Sequence, residues 1–451
     1  MESHAEGRAE TRYPWMRQWW FLLLALLFLF EVITPFLQWP LGLPKTVILA
    51  TEGTAALIVF FTFVIMLTED RIPKGILVIL GITLVWGLVA FFEGQPLATF
   101  LWGWWRFFAF PLVGVFTYLV IGNPKGFAEW FIKFCLGLLA FQVLVQLIML
   151  GLGYPMGDNM AGTLGWHGVM QFTMMAFFVV SIGLGHWIAS NQLKYMLIAV
   201  SLSAIGSVLS GTKFYFFIIP VMLGVTFAIS MIQGGRIRTF IISIIVLLIG
   251  ASILVPVFNS RLVENSNIAL QDYLDPDIAL NYLMYANVNT SGRSYVGRGY
   301  APVYAWQQLQ RDTTTMLFGH GLGSRASSSQ LGLSGVGFQN DIFGVNGTAL
   351  STWMFEYGII GLFVFLLILV WITMRLFQYL KTNPDTYKAS ITYGLILFTA
   401  FWPVWIWYHN VWSGEVMKAL YWISLGYILR QAFAPPPRPA SSRVRLPHEN
   451  R

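Results

Sequence analysis

Residues 18–38 read QWWFLLLALLFLFEVITPFLQ, an apolar run interrupted by a single charge, Glu31. About 20 apolar residues in a helix are enough to cross a hydrocarbon layer of about 30 Å. Similar runs recur almost end to end in the 451-residue chain, which is 57% hydrophobic and only 10% charged. A soluble domain carries about 25% charged residues. The composition therefore predicts an all-α polytopic membrane protein and disfavours a soluble enzyme or a nucleic-acid binder.

Twelve such runs are predicted to be transmembrane helices, with one long loop between the ninth and the tenth. The first run is too long for the core of a cleavable signal peptide, so we expect it to stay as a membrane anchor. The chain then divides into an N-terminal segment, helices 1–9, a loop, helices 10–12 and a basic tail, at 1–17, 18–258, 259–346, 347–430 and 431–451. The predicted helices cover about 18–38, 46–67, 75–92, 97–120, 127–151, 166–188, 193–209, 212–232, 239–258, 347–374, 389–408 and 413–430.

The basic residues predict how these helices are oriented. An even number of spans puts both termini on one side of the membrane, and 18 of the 27 Lys and Arg residues fall on that side. Cytoplasmic loops of membrane proteins are enriched in Lys and Arg. Both termini are therefore predicted to be cytoplasmic, and the loop 259–346 is predicted to lie on the outer side.

Several charges are predicted to lie in the outer halves of the helices. A charge inside a membrane is unfavourable unless it is paired or hydrated, so such residues are functional candidates. Together they suggest a polar cavity that opens to the outside. The alternative is that Glu31, Glu52 and Arg106 are structural pairs or snorkelling groups. The other charges at this level are Lys213, Glu356, Glu93 and Glu415.

The outer loop carries five cations, and all of them are arginines. Guanidinium groups suit bidentate recognition of phosphate or carboxylate. Arg293 and Arg298 lie in SGRSYVGRGYAPVYAWQQLQRD, at the start of a predicted amphipathic helix, and FGHGLGS follows that helix. The glycines of this second stretch allow a close approach of the backbone to a ligand, although ordinary turns use glycine in the same way. Lys213, in SGTKFYFF, either snorkels to lipid phosphates or faces this loop and helps to hold an anionic group.

Metal and cofactor chemistry has little support in the sequence. The single cysteine, Cys135, allows neither a disulfide nor a cysteine metal site. Asp275 and Asp277 have the spacing of the DxD motif of nucleotide-sugar enzymes, but Pro276 between them favours a simple turn. We therefore expect no metal and no cofactor.

In their order along the chain, these segments resemble the O-antigen ligase and polymerase superfamily of bacterial membrane glycosyltransferases. The loop pattern of that family is a Gly-Arg, an aromatic helix and a Gly-x-Gly turn. The corresponding residues here are Gly292-Arg293 or Gly297-Arg298, then Trp306, then Gly319-His320-Gly321. The likeness covers about residues 200–370, and the remaining helices match by topology alone.

Two further elements resemble the family, and one departs from it. Its next helix continues to a Glu-x-Gly-x-x-Gly element, found here as Glu356, Gly358 and Gly361, and Lys213 matches a basic residue at an earlier helix mouth. Ligases that transfer O-antigen to lipid A-core carry a histidine in a preceding His-Asn element. The corresponding residues here, around Asn346, include no histidine. The resemblance therefore favours a polymerase, and it leaves open which arginine is the equivalent one.

The resemblance implies a GT-C-like fold with a periplasmic loop, in the bacterial inner membrane, that acts on an undecaprenyl-diphosphate-linked glycan donor. The other partners are a glycan acceptor, the lipid bilayer and, in some systems, a chain-length regulator. Cations would stabilise the charge that develops on the departing diphosphate, which makes Arg298, Arg293 and Lys213 the candidate catalytic cations. The candidates for the general base, with no ranking among them, are Glu356, Asp341, His320 and His409. The candidate substrate-binding residues are Gly319, His320, Gly321, Trp306, Asn346 and Arg106.

Two other functions stay open from the sequence. An O-antigen ligase, which transfers the glycan to lipid A-core, differs from a polymerase only in its acceptor. A polysaccharide or lipid transporter belongs to another class, for which related halves and charges at the middle of the membrane are typical. The chain instead has unlike halves and one asymmetric loop, which favours the enzyme.

Overall fold

The computed structural model describes most of the helical bundle and parts of the outer loop. The described residues are 18–38, 42–44, 48–68, 72–122, 124–157, 159–165, 168–232, scattered positions between 241 and 259, 272, 275–284, 287–288, 294–295, 297–328, 331–335, 347–382, 384–408 and 415–433.

The N-terminal part of the bundle consists of eight helices joined by short links. Pro96 directly precedes α4. A proline is tolerated there because the first N–H groups of a helix have no partner within the helix. Asn191 ends α6 in the left-handed conformation, with φ at 55°, which is a common way to terminate a helix. The helices are α1 Trp19–Gln38, α2 Ile48–Thr68, α3 Lys74–Phe92, α4 Leu97–Val120, α5 Phe127–Gly151, α6 Val169–Ser190, α7 Lys194–Leu209 and α8 Lys213–Ile232.

Short elements follow in the region that the sequence assigns to the outer loop. They are α9 Pro276–Met284, β1 Asn287–Val288, β2 Ser294–Tyr295, α10 Tyr300–Leu309, α11 Thr313–Phe318, β3 Ser327–Ser328 and β4 Leu333–Ser334. Helix α10 corresponds to the amphipathic helix expected after Arg298. The pairs β1–β2 and β3–β4 are antiparallel, and no pattern in the sequence predicted them.

The C-terminal part of the bundle begins with the longest described helix. Its elements are α12 Ala349–Leu380, α13 Thr386–Ala400, α14 Trp402–Tyr408 and α15 Glu415–Phe433. Thr348 caps α12 by accepting a hydrogen bond from the Ser351 backbone N–H at 3.2 Å. Helix α12 is broken at Gly358, and α14 is bent by 48° from α13.

Among the described residues, eight helices are long and apolar enough to span a membrane, or nine if α13 and α14 form one span. The chain is therefore an all-α, multi-pass membrane protein, which confirms that part of the prediction. Helices α7, with 16 residues, and α15 also coincide with predicted spans but are not among those eight. Most of the predicted ninth span, 239–258, lies outside the described residues. The total of twelve stays a prediction.

Helix α6 lies at the centre of the bundle, and nearly all of its residues are buried. It crosses α13 at very short distance. A Cβ added to Gly185 would lie only 2.3 Å from the Ser390 carbonyl oxygen. Helices α4 and α15 meet in the same way, since a Cβ on Gly426 would lie 2.2 Å from the Gly114 carbonyl oxygen. Small residues allow such close crossings in membranes. The second crossing packs α15 against α4.

One end of the bundle carries the polar groups of interest. The end of α1 meets the start of α2 there, where Thr51 Oγ1 donates to Thr34 Oγ1 at 3.3 Å. The start of α4 meets the loop region at the same end, where Gln95 Nε2 donates to the Gly323 carbonyl at 3.0 Å. We call this end of the molecule the loop end.

Candidate functional site

The loop end holds a turn of residues 319–325, the Gly-rich turn, which contains the Gly-x-Gly of the resemblance. Gly319, Gly321 and Gly323 have φ values of 71°, 83° and 86°, a region that residues with side chains rarely adopt. A Cβ on Gly319 would lie 2.6 Å from the Phe355 carbonyl oxygen, and one on Gly321 would lie 2.4 Å from Ala90. The glycines therefore allow close packing of this turn on α3, α4 and α12. A role of Gly319 and Gly321 in binding substrate stays a prediction.

The break in α12 receives the Gly-rich turn. Gly358 has φ 59° and ψ −164°, and a Cβ there would lie 2.5 Å from the Leu317 carbonyl oxygen. Trp86 of α3 holds both segments, because its Nε1 donates to the Phe318 carbonyl at 2.9 Å and to the Tyr357 carbonyl at 3.1 Å. The Glu-x-Gly element and the Gly-x-Gly turn, predicted as separate motifs, thus form one structural unit.

Glu356 is buried inside this unit. Its Oε1 accepts a hydrogen bond from the Arg325 backbone N–H at 3.1 Å. The side chain of Glu356 is 7% exposed. This contact is that of a carboxyl group that anchors the turn, whereas the sequence made Glu356 a candidate general base.

His320 and Arg325, near the two ends of the Gly-rich turn, both contact Phe355. The His320 ring stacks on Phe355 with 6.2 Å between centroids, and its Nδ1 lies 3.0 Å from Glu93 Oε2. The Arg325 guanidinium lies 4.6 Å from the Phe355 centroid, and Arg325 is buried. His320 is about one-third exposed and is therefore the group of this unit that a ligand can reach.

Arg106 of α4 connects this unit to a second group of charges. Arg106 interacts electrostatically with Glu356 and also with Glu52 and Lys418. Trp105 Nε1, next in the chain, donates a hydrogen bond to Glu52 Oε2. The structure therefore brings two predicted site residues, Arg106 and Glu356, close together.

The second group, which we call the ion cluster, consists of Glu31, Glu52, Arg106, Glu415 and Lys418. Glu31 of α1 is 3% exposed and interacts electrostatically with Glu415 of α15. Lys418 is 4% exposed, interacts electrostatically with all three carboxyl groups, and places its Nζ 4.6 Å from the Phe110 centroid. Four helices thus contribute charges to one buried network.

Arg298 and Lys213 are linked through an aromatic stack. The Arg298 guanidinium lies 4.7 Å above the Tyr408 ring, at the end of α14. Tyr408 stacks on Phe214 with 3.8 Å between centroids and 9° between ring planes. Phe214 directly follows Lys213 at the start of α8. The stack thus links Arg298 to the chain neighbour of Lys213, and a shared anion site of the two cations stays a prediction.

Helix α10 connects the aromatic stack to the Gly-rich turn. It begins two residues after Arg298, and its Ala301, Ala305 and Leu309 pack with Phe355 in one apolar cluster. Trp306, on the same helix, is half-buried. Four residues named as candidates, Arg293, Asn346, Asp341 and His409, lie outside the described residues.

Sequence reasoning missed Lys418 and did not pair Glu31 with Glu415. A signal for Lys418 was present, since GEVMKALYWISLGYIL carries one lysine inside an otherwise apolar stretch. The pairing had none, because Glu31 and Glu415 lie at opposite ends of the chain and only the packing of α1 on α15 brings them together.

Comparison with known proteins does not identify a family. No family model matches the chain, and no curated protein is similar to it.

Proposed function

We propose that the chain is a membrane glycosyltransferase, a polymerase that lengthens lipid-diphosphate-linked oligosaccharides. The observation that carries the proposal is the contact between the Gly-rich turn and the Glu-x-Gly element, through Glu356 and Arg325, which are 31 positions apart. These are two of the motifs on which the resemblance to the O-antigen ligase and polymerase superfamily rests. Their contact supports the idea that the motifs serve one site.

The proposed reaction is transfer of a glycan from its diphosphate carrier to a sugar hydroxyl. The acceptor oxygen bonds to the anomeric carbon, the bond from that carbon to the diphosphate oxygen breaks, and its electron pair leaves with the diphosphate. The acceptor proton passes to a base. Arg298 and Lys213 are the proposed partners of the departing diphosphate, since fixed cations stabilise charge that develops in a transition state. Arg293 belongs to the same proposal by its sequence position.

Glu356 is proposed to position the Gly-rich turn rather than to take the acceptor proton. Its carboxyl group accepts a hydrogen bond from the Arg325 backbone N–H of that turn. His320 is the more accessible candidate base in the described part of the site, and its Nδ1 contact with Glu93 would orient the ring and hold its proton. Asp341 and His409 also stay candidates for the general base, on the basis of the sequence.

The proposal includes the finer topology. Twelve spans, with the 259–346 loop between the ninth and tenth, would put both termini in the cytoplasm and the loop end at the periplasmic face of a bacterial inner membrane. The distribution of Lys and Arg supports this orientation. The donor's lipid would then lie in the same outer leaflet as the site.

A transporter is the second candidate, and the ion cluster is the observation that favours it. Buried charges inside a membrane protein commonly mark ion or substrate pathways. A ligase is the variant of the enzyme with a different acceptor.

One experiment separates these functions. The purified protein in lipid nanodiscs is given an undecaprenyl-diphosphate-linked oligosaccharide, with and without lipid A-core, and the products are resolved by size. A ladder of longer lipid-linked glycans supports the polymerase, and transfer only to lipid A-core supports the ligase. No glycosidic bond formed, together with flux of the same compound across proteoliposomes, would overturn the enzyme proposal.

A further inference from the structure

The link between α5 and α6 enters the bundle instead of running over its surface. Its residues 160–165 are all buried. Two glutamines of α5, one helical turn apart, hold it. Gln142 Oε1 accepts a hydrogen bond from the Thr163 backbone N–H at 2.8 Å, and Gln146 Nε2 donates to the Met160 carbonyl oxygen at 2.8 Å. Irregular backbone inside a membrane protein needs such partners, because the membrane core has no water to supply them.

The other side of this link lies on the end of α7. The Gly157 backbone N–H donates to the Leu209 carbonyl oxygen at 3.0 Å. Helix α7 also comes close to α5, since a Cβ added to Gly206 would lie 2.9 Å from Gln146 Oε1. Helix α5, the link and the end of α7 therefore meet at one place, which we call the link junction.

Three side-chain oxygens at the link junction are buried and have no hydrogen-bond partner in the part of the chain that the structure describes. They are Gln146 Oε1, Asn159 Oδ1 and Ser207 Oγ. Gln146 and Ser207 are both 0% exposed. Asn159 directly precedes Met160, which Gln146 binds, and Ser207 directly follows Gly206. Amide oxygens only accept hydrogen bonds, and the Ser207 hydroxyl, which can donate, bonds neither of them.

The chemistry of the link junction suits a cation of single charge. Helix α7 ends at Leu209, and the C-terminal end of a helix carries a partial negative charge. In membrane proteins, Na⁺ is coordinated by oxygens of unwound segments and by the C-terminal ends of helices. The three described oxygens are neutral, whereas divalent cations are usually bound by carboxylates.

We propose that Gln146 Oε1, Asn159 Oδ1 and Ser207 Oγ bind a sodium ion at the link junction. The ion joins α5, the link and α7 by serving as the common partner of their buried oxygens. It is structural and takes no part in the proposed glycosyl transfer, so either proposal can fail without the other. A water molecule is the competing occupant, and it would leave the protein insensitive to the kind of salt.

Thermal unfolding of the intact protein in nanodiscs distinguishes the two occupants. Sodium chloride replaces choline chloride stepwise at constant ionic strength, so that only the kind of cation changes. A ligand that binds only the folded state raises the melting temperature as its concentration rises. We expect the melting temperature to rise with the sodium concentration and then to reach a plateau. Equal melting temperatures in the two salts overturn the proposal.

Ser207→Ala removes one ligand with little change in volume. Loss of a group that only supports a metal ligand weakens metal affinity by about 10-fold to 100-fold. We therefore expect the midpoint of the sodium titration to move to a concentration at least about 10-fold higher. Ser181→Ala in α6 is the matched control, because Ser181 is also fully buried but donates to the Phe177 carbonyl of its own helix at 2.8 Å. Equal midpoints for the two variants contradict the proposal.

Sodium NMR gives a second measurement that does not depend on stability. Sodium ions that exchange with a protein site give a broadened signal. The wild-type protein and Ser181→Ala should broaden this signal, and addition of unlabelled competing choline should leave it unchanged. Gln146→Met, which keeps the length of the side chain but has no amide oxygen, should lose the broadening while it is still folded. No broadening by the wild-type protein, or equal broadening by Gln146→Met, overturns the site.

Discussion

The Glu356 carboxylate accepts a hydrogen bond from the Arg325 backbone N–H at 3.1 Å, which joins the break in α12 to the Gly-rich turn. Glu356 is a predicted site residue, and the bond shows how such a residue acts on a site through the backbone of another segment. The consequences of this and of three other contacts can be measured.

Glu356→Gln should keep much of the activity, because the amide oxygen still accepts hydrogen bonds from the turn. Glu356→Ala leaves the buried Arg325 backbone N–H without its acceptor, which destabilises a protein by about 1–3 kcal/mol. We expect a clear fall in melting temperature and activity for the alanine variant only. If Glu356→Gln abolishes turnover while its melting temperature is unchanged, Glu356 is the general base and the anchoring role is wrong.

Gly358→Ala should disrupt the junction of the two motifs. The φ and ψ values of Gly358, 59° and −164°, cost a residue with a side chain about 1–3 kcal/mol. The added Cβ would also lie 2.5 Å from a backbone carbonyl oxygen. We expect a lower melting temperature and loss of activity. Gly81→Ala in α3, where a Cβ meets nothing within 4 Å, is the control and should have little effect.

Gly185→Ala should loosen the crossing of α6 and α13, because the Cβ would lie 2.3 Å from the Ser390 carbonyl oxygen. The backbones must separate, and overpacking of a close-packed interior costs about 1–3 kcal/mol. Unfolding in detergent, followed by the fluorescence of the many tryptophans, measures the effect. Gly137→Ala in α5, with open space around the added Cβ, should behave like the wild-type protein. Equal unfolding of both variants would argue against this crossing.

Tyr408→Leu should remove the ring on which the Arg298 guanidinium packs, 4.7 Å from the ring centroid. A cation–π contact contributes about 0.5–2 kcal/mol, so a loss of about 2-fold to 30-fold in activity is expected if Arg298 serves the reaction. Tyr408→Phe keeps the ring and should keep the activity. A Tyr408→Leu variant with full turnover would show that the position of Arg298 does not depend on this ring.

The helices of the bundle could be predicted from the sequence because apolar length decides them. The predicted span 127–151 coincides with α5, Phe127–Gly151, and the predicted start of α4 at 97 follows Pro96 as observed. The membrane selects for long apolar runs in each span separately, so no knowledge of packing is needed.

The candidate site could be predicted only in part. Four candidate site residues could be recognised because a charge in an apolar run or in an arginine-rich turn can be seen without any knowledge of its contacts. These residues are Arg298, Lys213, Arg106 and Glu356. The sequence did not reveal that Gly319 and Gly321 pack against α12 and α3, or that Glu31 meets Glu415. Those relationships depend on contacts between distant segments, which no local pattern encodes.

The most direct test of the proposed function is the rate at which purified protein in nanodiscs lengthens an undecaprenyl-diphosphate-linked oligosaccharide. We expect a ladder of longer lipid-linked glycans from the wild-type protein. In Arg298→Ala the rate of lengthening should fall by at least about 100-fold, which is the usual effect of removing one donor that stabilises a transition state. Arg311→Ala, which removes an exposed arginine of the same region, should retain the wild-type rate. No lengthening by the wild-type protein, or equal rates for Arg298→Ala and Arg311→Ala, would contradict the account.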